Sequence, residues 1–297
     1  MSTPSPCRSL RRFLQETAAG TVASLRGHDL LLYAAGLTFY AALGLVPLLL
    51  LASKAATLVL SPESVAAVGR RLGAYAGQRL GLDRAAEHLV VSGSRLRPSA
   101  VVAAVVPASL YSEGFVRAFD RLSARGRRRN RTARGRLFAP LLFAASTLAL
   151  VVALAVGGSL AGSLGRGPGA RVLGIYLAFL LLWVLSTGVL ALLYRVFSSE
   201  RPAAGALVLG AAATGSFLAG MSLGFVLVVR LATGVGTPYG GNAALGAASV
   251  LGFLLYLSHI VVLVGFALTL RLDARWRTPV VGVAARLVEP LPAGAGQ

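Results

Sequence analysis

Three ionisable residues stand inside or at the edge of long apolar runs, and each admits two chemistries. His259, in Tyr256-Leu-Ser-His259, lies midway along the run Asn242 to Leu270. It is either a neutral imidazole hydrogen-bonded to a neighbouring helix or a proton relay. Lys54 interrupts the run Tyr33 to Leu60 about seven residues from its end, roughly 10 Å at helical rise. It can snorkel outward or meet a substrate headgroup or carboxylate. Glu113 closes the run Ser99 to Glu113, with Arg117 four residues on. That is the favourable spacing for a local ion pair, and the other reading is a buried acid beside a conduction or lipid path. Tyr40, Ser112 and Tyr239 complete the set of candidate functional polar residues.

Catalytic constellations do not form from what remains. The histidines are His28, His88 and His259, far apart in the chain, and Cys7 is the single cysteine. No HxxxH, HExxH or cysteine cluster supplies metal ligands. Gly165-Arg-Gly167 runs into Pro168, not into the Lys-Ser/Thr of a phosphate-binding loop. The expectation is a non-enzyme with no catalytic residue, metal or cofactor, and with no disulfide within the chain.

The elements that must position these side chains are transmembrane helices. Apolar residues make up 56% of the chain, charged residues 13%, and mean hydropathy is +0.75. Soluble domains carry about a quarter charged residues. A span needs about 20 apolar residues. Besides the runs at 33–60 and 242–270, such segments recur at Leu137 to Gly165, Val172 to Tyr194 and Ala203 to Val229. The run at 99–113 is short and contains Pro107, which would kink it. Counting it as a crossing gives six spans and balances the charge. The fold class is therefore all-α, a polytopic transmembrane helical bundle.

Charge sets the orientation. Formal net charge is +19, and all but Lys54 of the 29 basic residues are Arg. With six spans, 19 Arg fall on the side of both termini and 9 on the other, six of these in loop 61–98. The positive-inside rule then puts both ends in the cytoplasm. No apolar stretch directly follows Arg8, Arg11 and Arg12, so the first span is expected to act as an uncleaved signal-anchor. The division is an arm at 1–32, a transmembrane domain at 33–272 with outer loop 61–98, and a tail at 273–297 that ends in a Pro/Gly/Ala-rich, disordered segment.

The outer loop has its own helical pattern. Ser61-Pro62-Glu63 reads as N-cap, first-turn proline and first-turn acid. Val65, Val68, Leu72 and Tyr75 recur at helical spacing, and a second short helix is expected near Asp83. The amphipathic loop is a lid or lipid-surface sensor on one reading and a packed cap on the other. Gly234 to Asn242 is rich in turn formers and predicts an ordered outer turn with Tyr239 at the interface. Gly158/Gly162 and Gly220/Gly224 are GxxxG pairs, and Gly205, Gly210, Ala211 and Gly215 add small residues to the fifth span. Packing within one protomer is the expectation for these, with a homo-oligomer seam as the alternative.

Arg125, Arg127, Arg128, Arg129 and Arg131 form a basic run between two spans. Nucleic-acid binding is one reading, but no aromatic residues interleave. A topogenic signal that also attracts anionic lipid headgroups at the cytoplasmic face explains the run more simply. Membrane lipids are thus the expected partners, and nucleic acid is not.

Several motifs in register resemble the YihY/BrkB family of bacterial inner-membrane proteins. They are Ala34-Ala-Gly-Leu-Thr-Phe-Tyr40 through Pro47-Leu-Leu-Leu; Tyr111-Ser112-x-Gly114; Ala118-Phe119-Asp120-Arg121; Leu193-Tyr194-Arg195; Gly205-Ala206; and Tyr239-Gly240. The resemblance spans roughly residues 10–275. Two departures stand out. Thr214-Gly215-Ser216-Phe217 replaces a segment that often carries Trp. Gly265-Phe266-Ala267 stands where the family usually has Gly-Ala-Glu, so no acid is present there. The resemblance implies an envelope membrane protein linked to envelope integrity, serum resistance or lipid movement. The family once carried the label of a tRNA-processing ribonuclease, ribonuclease BN, and this chain lacks residues for that chemistry. The expected function is lipid movement or envelope integrity. A small-solute or ion transporter using His259 and Lys54 is the alternative, and a membrane-tethered nuclease is more remote.

Overall fold

A computed structural model of the 297-residue chain describes residues 6–27, 29–58, 60–67, 70, 82–123, 140–149, 167–231 and 236–287. In chain order the helices are α1 (Pro6–Leu25), α2 (Leu30–Ala56), α3 (Leu82–Ser94), α4 (Pro98–Leu122), α5 (Pro140–Ala149), α6 (Pro168–Phe197), α7 (Ala204–Leu231) and α8 (Ala243–Leu287). A further short helix covers residues 62–67. The protein is an all-α helical bundle. Five helices, α2, α4, α6, α7 and α8, are long and apolar enough to cross a membrane. The third expected span begins as α5, and its remainder lies outside the described residues.

Helices α2, α6 and α7 are apolar on nearly every face, as lipid-immersed helices are. Leu32, Phe39, Val102, Val172, Phe217 and Phe253 on the spans are all more than 60% exposed, which suits side chains whose solvent is hydrocarbon. Inside the bundle, burial of apolar area gives little drive because lipid is equally apolar. Close packing and interhelical hydrogen bonds do the work instead.

The second span is longer than its apolar run. α4 continues unbroken through Pro107 to Leu122, 25 residues in all, or about 37 Å. Pro107 lacks an N–H, so one carbonyl a turn earlier has no intrahelical partner. α4 runs antiparallel to α2: Leu48 and Ala52 meet Ala104 and Ala108 in one cluster, and Gly114 lies against Leu37 and Tyr40. A Cβ on Gly114 would stand 2.9 Å from the Tyr40 ring, so glycine is needed for this approach.

Packing of α7 on α8 is reciprocal. Thr269 of α8 lies over Gly210 of α7, and Thr214 of α7 lies over Gly265 of α8. Each threonine also donates its hydroxyl to the carbonyl four residues back on its own helix: Thr214 to Gly210 at 2.7 Å and Thr269 to Gly265 at 2.8 Å. The hydroxyls are thereby satisfied without water, and the two glycines open the hollows that receive them. On the other side of α7, Gly215 faces Thr187 of α6, and Trp183 donates its indole N–H to the Ala212 carbonyl at 2.8 Å.

These contacts bear out part of the small-residue expectation and correct part of it. Gly205, Gly210 and Gly215 pack within the protomer. Gly220 and Gly224 make no such contact among the described residues, where a Cβ on either would meet nothing within 4 Å. Gly158 and Gly162 lie outside the described residues.

Where α2 ends and α4 begins, the described residues of the 61–98 connection form a packed layer. Ser61 caps the 62–67 helix: its hydroxyl accepts the Ser64 N–H at 3.3 Å and its carbonyl the Val65 N–H at 3.1 Å. Val65 joins Ala56 and Val90 in a small core. α3 forms as expected near Asp83 and lies on α2, where a Cβ on Gly93 would collide with Ser53 and Leu50. Of the two readings of this loop, the packed cap matches these residues. Val68, Leu72 and Tyr75 lie outside the described set.

At the opposite end, residues 6–25 form a helix where the sequence reading had only a mixed arm. α1 stops at Gly27, whose φ of +86° ends the helix in the left-handed region that glycine tolerates. The last helix is also longer than its span. α8 continues as helix to Leu287, well into what was read as a tail.

Candidate functional site

The buried polar groups gather at two levels of the bundle. Halfway along α8, the His259 imidazole is 3% exposed. Its Nδ1 lies 2.7 Å from the Leu255 carbonyl oxygen one turn back, and that geometry assigns the proton to Nδ1. Nε2 is then an acceptor, and the Tyr111 hydroxyl of α4 donates to it at 2.7 Å. Thr38 Oγ1 of α2 lies 3.2 Å from Nδ1 and donates its own proton to the Ala34 carbonyl at 2.8 Å. Three helices thus meet at one neutral ring, each contributing a hydrogen bond that the others complement.

Aromatic rings enclose this centre. Phe115 lies 5.8 Å and Tyr111 5.7 Å from the imidazole, the latter edge-on. Phe143 of α5 sits 4.8 Å from Tyr111 and stacks on Phe115. One level on, Phe119 and Phe266 stack at 4.1 Å, with Tyr194 edge-on to Phe119. The Tyr194 hydroxyl, from α6, donates to the Val262 carbonyl at 2.9 Å and also lies 3.4 Å from Thr214 Oγ1. An α4–α6–α8 seam is therefore filled by rings whose polar atoms are satisfied by protein.

The second level is the end carrying the N-terminus. Asp273, 4% exposed on α8, accepts the Ala203 N–H at 2.7 Å, and its other oxygen pairs with Arg277 at 2.8 Å. Arg277 also donates to the Arg201 carbonyl at 2.6 Å. From α4, Asp120 accepts a hydrogen bond from Ser199. The α6–α7 connection at 198–203 is held from two sides by carboxylates of different helices. The Asp273 contact also supplies a partner to one of the N–H groups that the start of α7 leaves unpaired. The Asp120–Ser199 bond puts the C-terminus of α4 at this end, while its N-terminus lies with α3 at the other, so α4 traverses the bundle.

The sequence-selected residues are dispersed across these levels. Among those described, His259 is the centre of contacts. Tyr40 is half-buried over Gly114 and serves packing. Ser112 is fully buried and donates to the Ser109 carbonyl at 2.8 Å, within its own helix. Glu113 pairs with Arg117 at 2.6 Å, as the local reading expected. The Lys54 Nζ reaches the carbonyl of Ser94, the last residue of α3, over a long 3.5 Å, favourable for a cation at a helix C-terminus. Tyr239 is 42% exposed in a one-turn 3-10 helix, Thr237–Tyr239, closed by left-handed Gly240 and Gly241. Asn242 then caps α8 by accepting the Leu245 N–H at 3.2 Å. Arg125, Arg127, Arg128, Arg129 and Arg131 lie outside the described residues.

Sequence reasoning missed Thr38, Tyr111, Asp120, Tyr194 and Asp273 as site members. Thr38, Tyr111, Asp120 and Tyr194 stand in the family-like motifs without a role there, and their signal was a polar group on an otherwise apolar face. The acid missing at Gly265-Phe266-Ala267 has a neighbour in Asp273, on the same helix. It is committed to the Ala203 N–H and Arg277.

A family model described as Virulence factor BrkB matches residues 21–283. The chain belongs to the BrkB family. The match takes in both polar levels, from Thr38 through Tyr111 and His259 to Arg277, and leaves out most of α1, up to Gly20, and the end of α8. Membership in the BrkB family and the five spanning-length helices make this a multi-pass integral membrane protein. Comparisons with curated proteins and with solved structures give no match.

Proposed function

We propose that this BrkB-family protein is a non-enzymatic component of the bacterial cell envelope that binds and organises or moves anionic lipid. In this reading it sits in the plasma membrane with both termini in the cytoplasm. The observation that carries the reading is where its polar chemistry is free and where it is committed. Mid-bundle, each nitrogen of His259 has a protein partner and rings pack around it. A solute path through this point would have to break Tyr111–His259 and displace Phe115 and Phe143. Cationic side chains are instead exposed at the end bearing the N-terminus, among them Arg121 and Arg271. The basic run at 125–131 follows α4 in sequence. Such a surface attracts an anionic leaflet, at about 1 kcal/mol per nearby Arg.

The test is the lipid shell. The protein is extracted from native membranes in polymer-bounded nanodiscs, and its lipids are quantified against the bulk membrane. Enrichment of anionic phospholipid is expected. A shell with bulk composition contradicts the proposal.

A further inference from the structure

Where α8 leaves its apolar stretch, its side chains and those of α1 form a groove of about 150 Å³. Glu16, Thr17 and Gly20 line it from α1, and Arg271, Ala274 and Arg275 from α8. We propose that this groove is a binding site for a phosphate group, carried by the headgroup of an anionic membrane lipid. The proposal rests on the lipid-handling reading above and gives it a specific site.

Charge is the first argument. Arg271 and Arg275 are four residues apart, so they project from one face of α8. Two cations at that spacing repel each other unless an anion lies between them. Glu16 meets only one of them, at 3.2 Å from Arg275. Arg271 is exposed and has no hydrogen bond or ion pair among the described residues. Counted over its described lining charges, Arg271, Arg275 and Glu16, the groove carries one excess positive charge, and the Arg271 guanidinium is a fork suited to two phosphate oxygens.

Shape is the second argument. A water molecule's share of liquid volume is about 30 Å³, so the groove has room for a phosphate ester. Gly20 keeps its wall open: a Cβ there would meet nothing within 4 Å. Thr17 is 5% exposed at its base.

Depth is the third argument and selects the source of the phosphate. Arg271 follows the apolar stretch Ile260–Leu270 directly. Five residues on, Trp276 is 43% exposed, with its ring against Gly205. An exposed Trp beside the first Arg after an apolar span marks the headgroup level. A lipid phosphate lies at that depth without leaving the bilayer.

Native mass spectrometry of the full chain, with phosphatidylglycerol or phosphatidylcholine titrated into neutral detergent, tests the site. Wild type should retain phosphatidylglycerol in preference to phosphatidylcholine. Arg271→Gln should weaken phosphatidylglycerol binding about fivefold. Gly20→Leu, which fills the groove while keeping both Arg, should weaken it comparably at an unchanged melting temperature. Arg97→Gln, on an exposed residue at the opposite end, should not. If both groove variants bind like wild type while wild type still prefers phosphatidylglycerol, the site is wrong and the lipid reading stands. Wild type without any preference contradicts the lipid reading and the site with it. Inorganic phosphate is titrated in parallel. Saturable displacement of the lipid by submillimolar phosphate would assign the groove to a soluble anion and overturn the lipid assignment.

Discussion

Replacing Gly265 with alanine should damage the bundle more than any other single-methyl addition along α7 and α8 except Gly210→Ala. The new Cβ would stand 2.7 Å from Thr214 Cγ2 and 2.7 Å from the Tyr194 hydroxyl, and would overlap Thr214 Oγ1. Carbon atoms pack at about 3.5–4.0 Å, so the groups must separate by about 1 Å. Thr214 cannot turn away without leaving its bond to the Gly210 carbonyl, and Tyr194 cannot retreat without leaving Val262. The alternative is to widen the α7–α8 crossing. Overpacking of this kind costs about 1–3 kcal/mol. In a chain of this size that lowers the melting temperature by about 2–10 °C. Gly210→Ala faces Thr269 Cβ at 2.9 Å and Cα at 3.1 Å and should behave alike. Gly220→Ala and Gly224→Ala meet no described atom within 4 Å and should be neutral or stabilising by up to about 1 kcal/mol. Thermal unfolding in detergent, followed by size-exclusion chromatography of a fluorescent fusion, ranks the four. The reasoning is refuted if Gly265→Ala melts with wild type, or if Gly220→Ala is the more damaging change.

Tyr111→Phe removes the donor to His259 Nε2 and should destabilise by about 0.6–1.7 kcal/mol, the range for hydrogen bonds within membranes. Restoring the loss with His259→Phe in the same chain would show that the pair is structural, and a double-mutant thermal series reads this. Asp273→Ala strips a partner from the Ala203 N–H and from Arg277, so proteolysis at the 198–203 connection should accelerate several-fold, with Asp273→Asn closer to wild type. Replacing Arg125, Arg127, Arg128, Arg129 and Arg131 with Gln should lower anionic lipid association and leave a fraction of molecules inverted. Reporter fusions in loop 61–98 and at the C-terminus measure that fraction. The same number of Arg changed in loop 61–98 and the tail should have a smaller effect.

Much of the bundle was legible because hydrocarbon imposes a single rule on long segments. Runs such as 172–194 and 203–229 must be helical and of spanning length, and α6 and α7 extend them by only a few residues. The length of α4 was not legible from hydropathy. Its second half carries Glu113, Arg117, Asp120 and Arg121, polar groups that meet protein partners or face the bundle's end. α1 was missed for a similar reason: it packs on α8, where Glu16 meets Arg275, a contact between residues 259 positions apart. His259 stood out in sequence because an ionisable group in an apolar run is rare. Tyr111 did not, since a tyrosine looks apolar until its hydroxyl finds a partner on another helix. The reciprocal Gly210–Thr269 and Thr214–Gly265 contacts also needed the structure. In sequence Gly220/Gly224 is the more conspicuous pair, yet the register of α7 on α8 leaves it unused.

One measurement asks directly whether the protein engages lipid at its charged end without conducting solute past His259. Proteoliposomes holding a headgroup-labelled anionic phospholipid and a luminal pH dye report both events in one sample. The expected result is protein-dependent redistribution of the labelled lipid, with luminal pH tracking protein-free vesicles under an imposed gradient. Protein-dependent proton or ion flux that disappears in His259→Phe, with the labelled lipid unmoved, would contradict it.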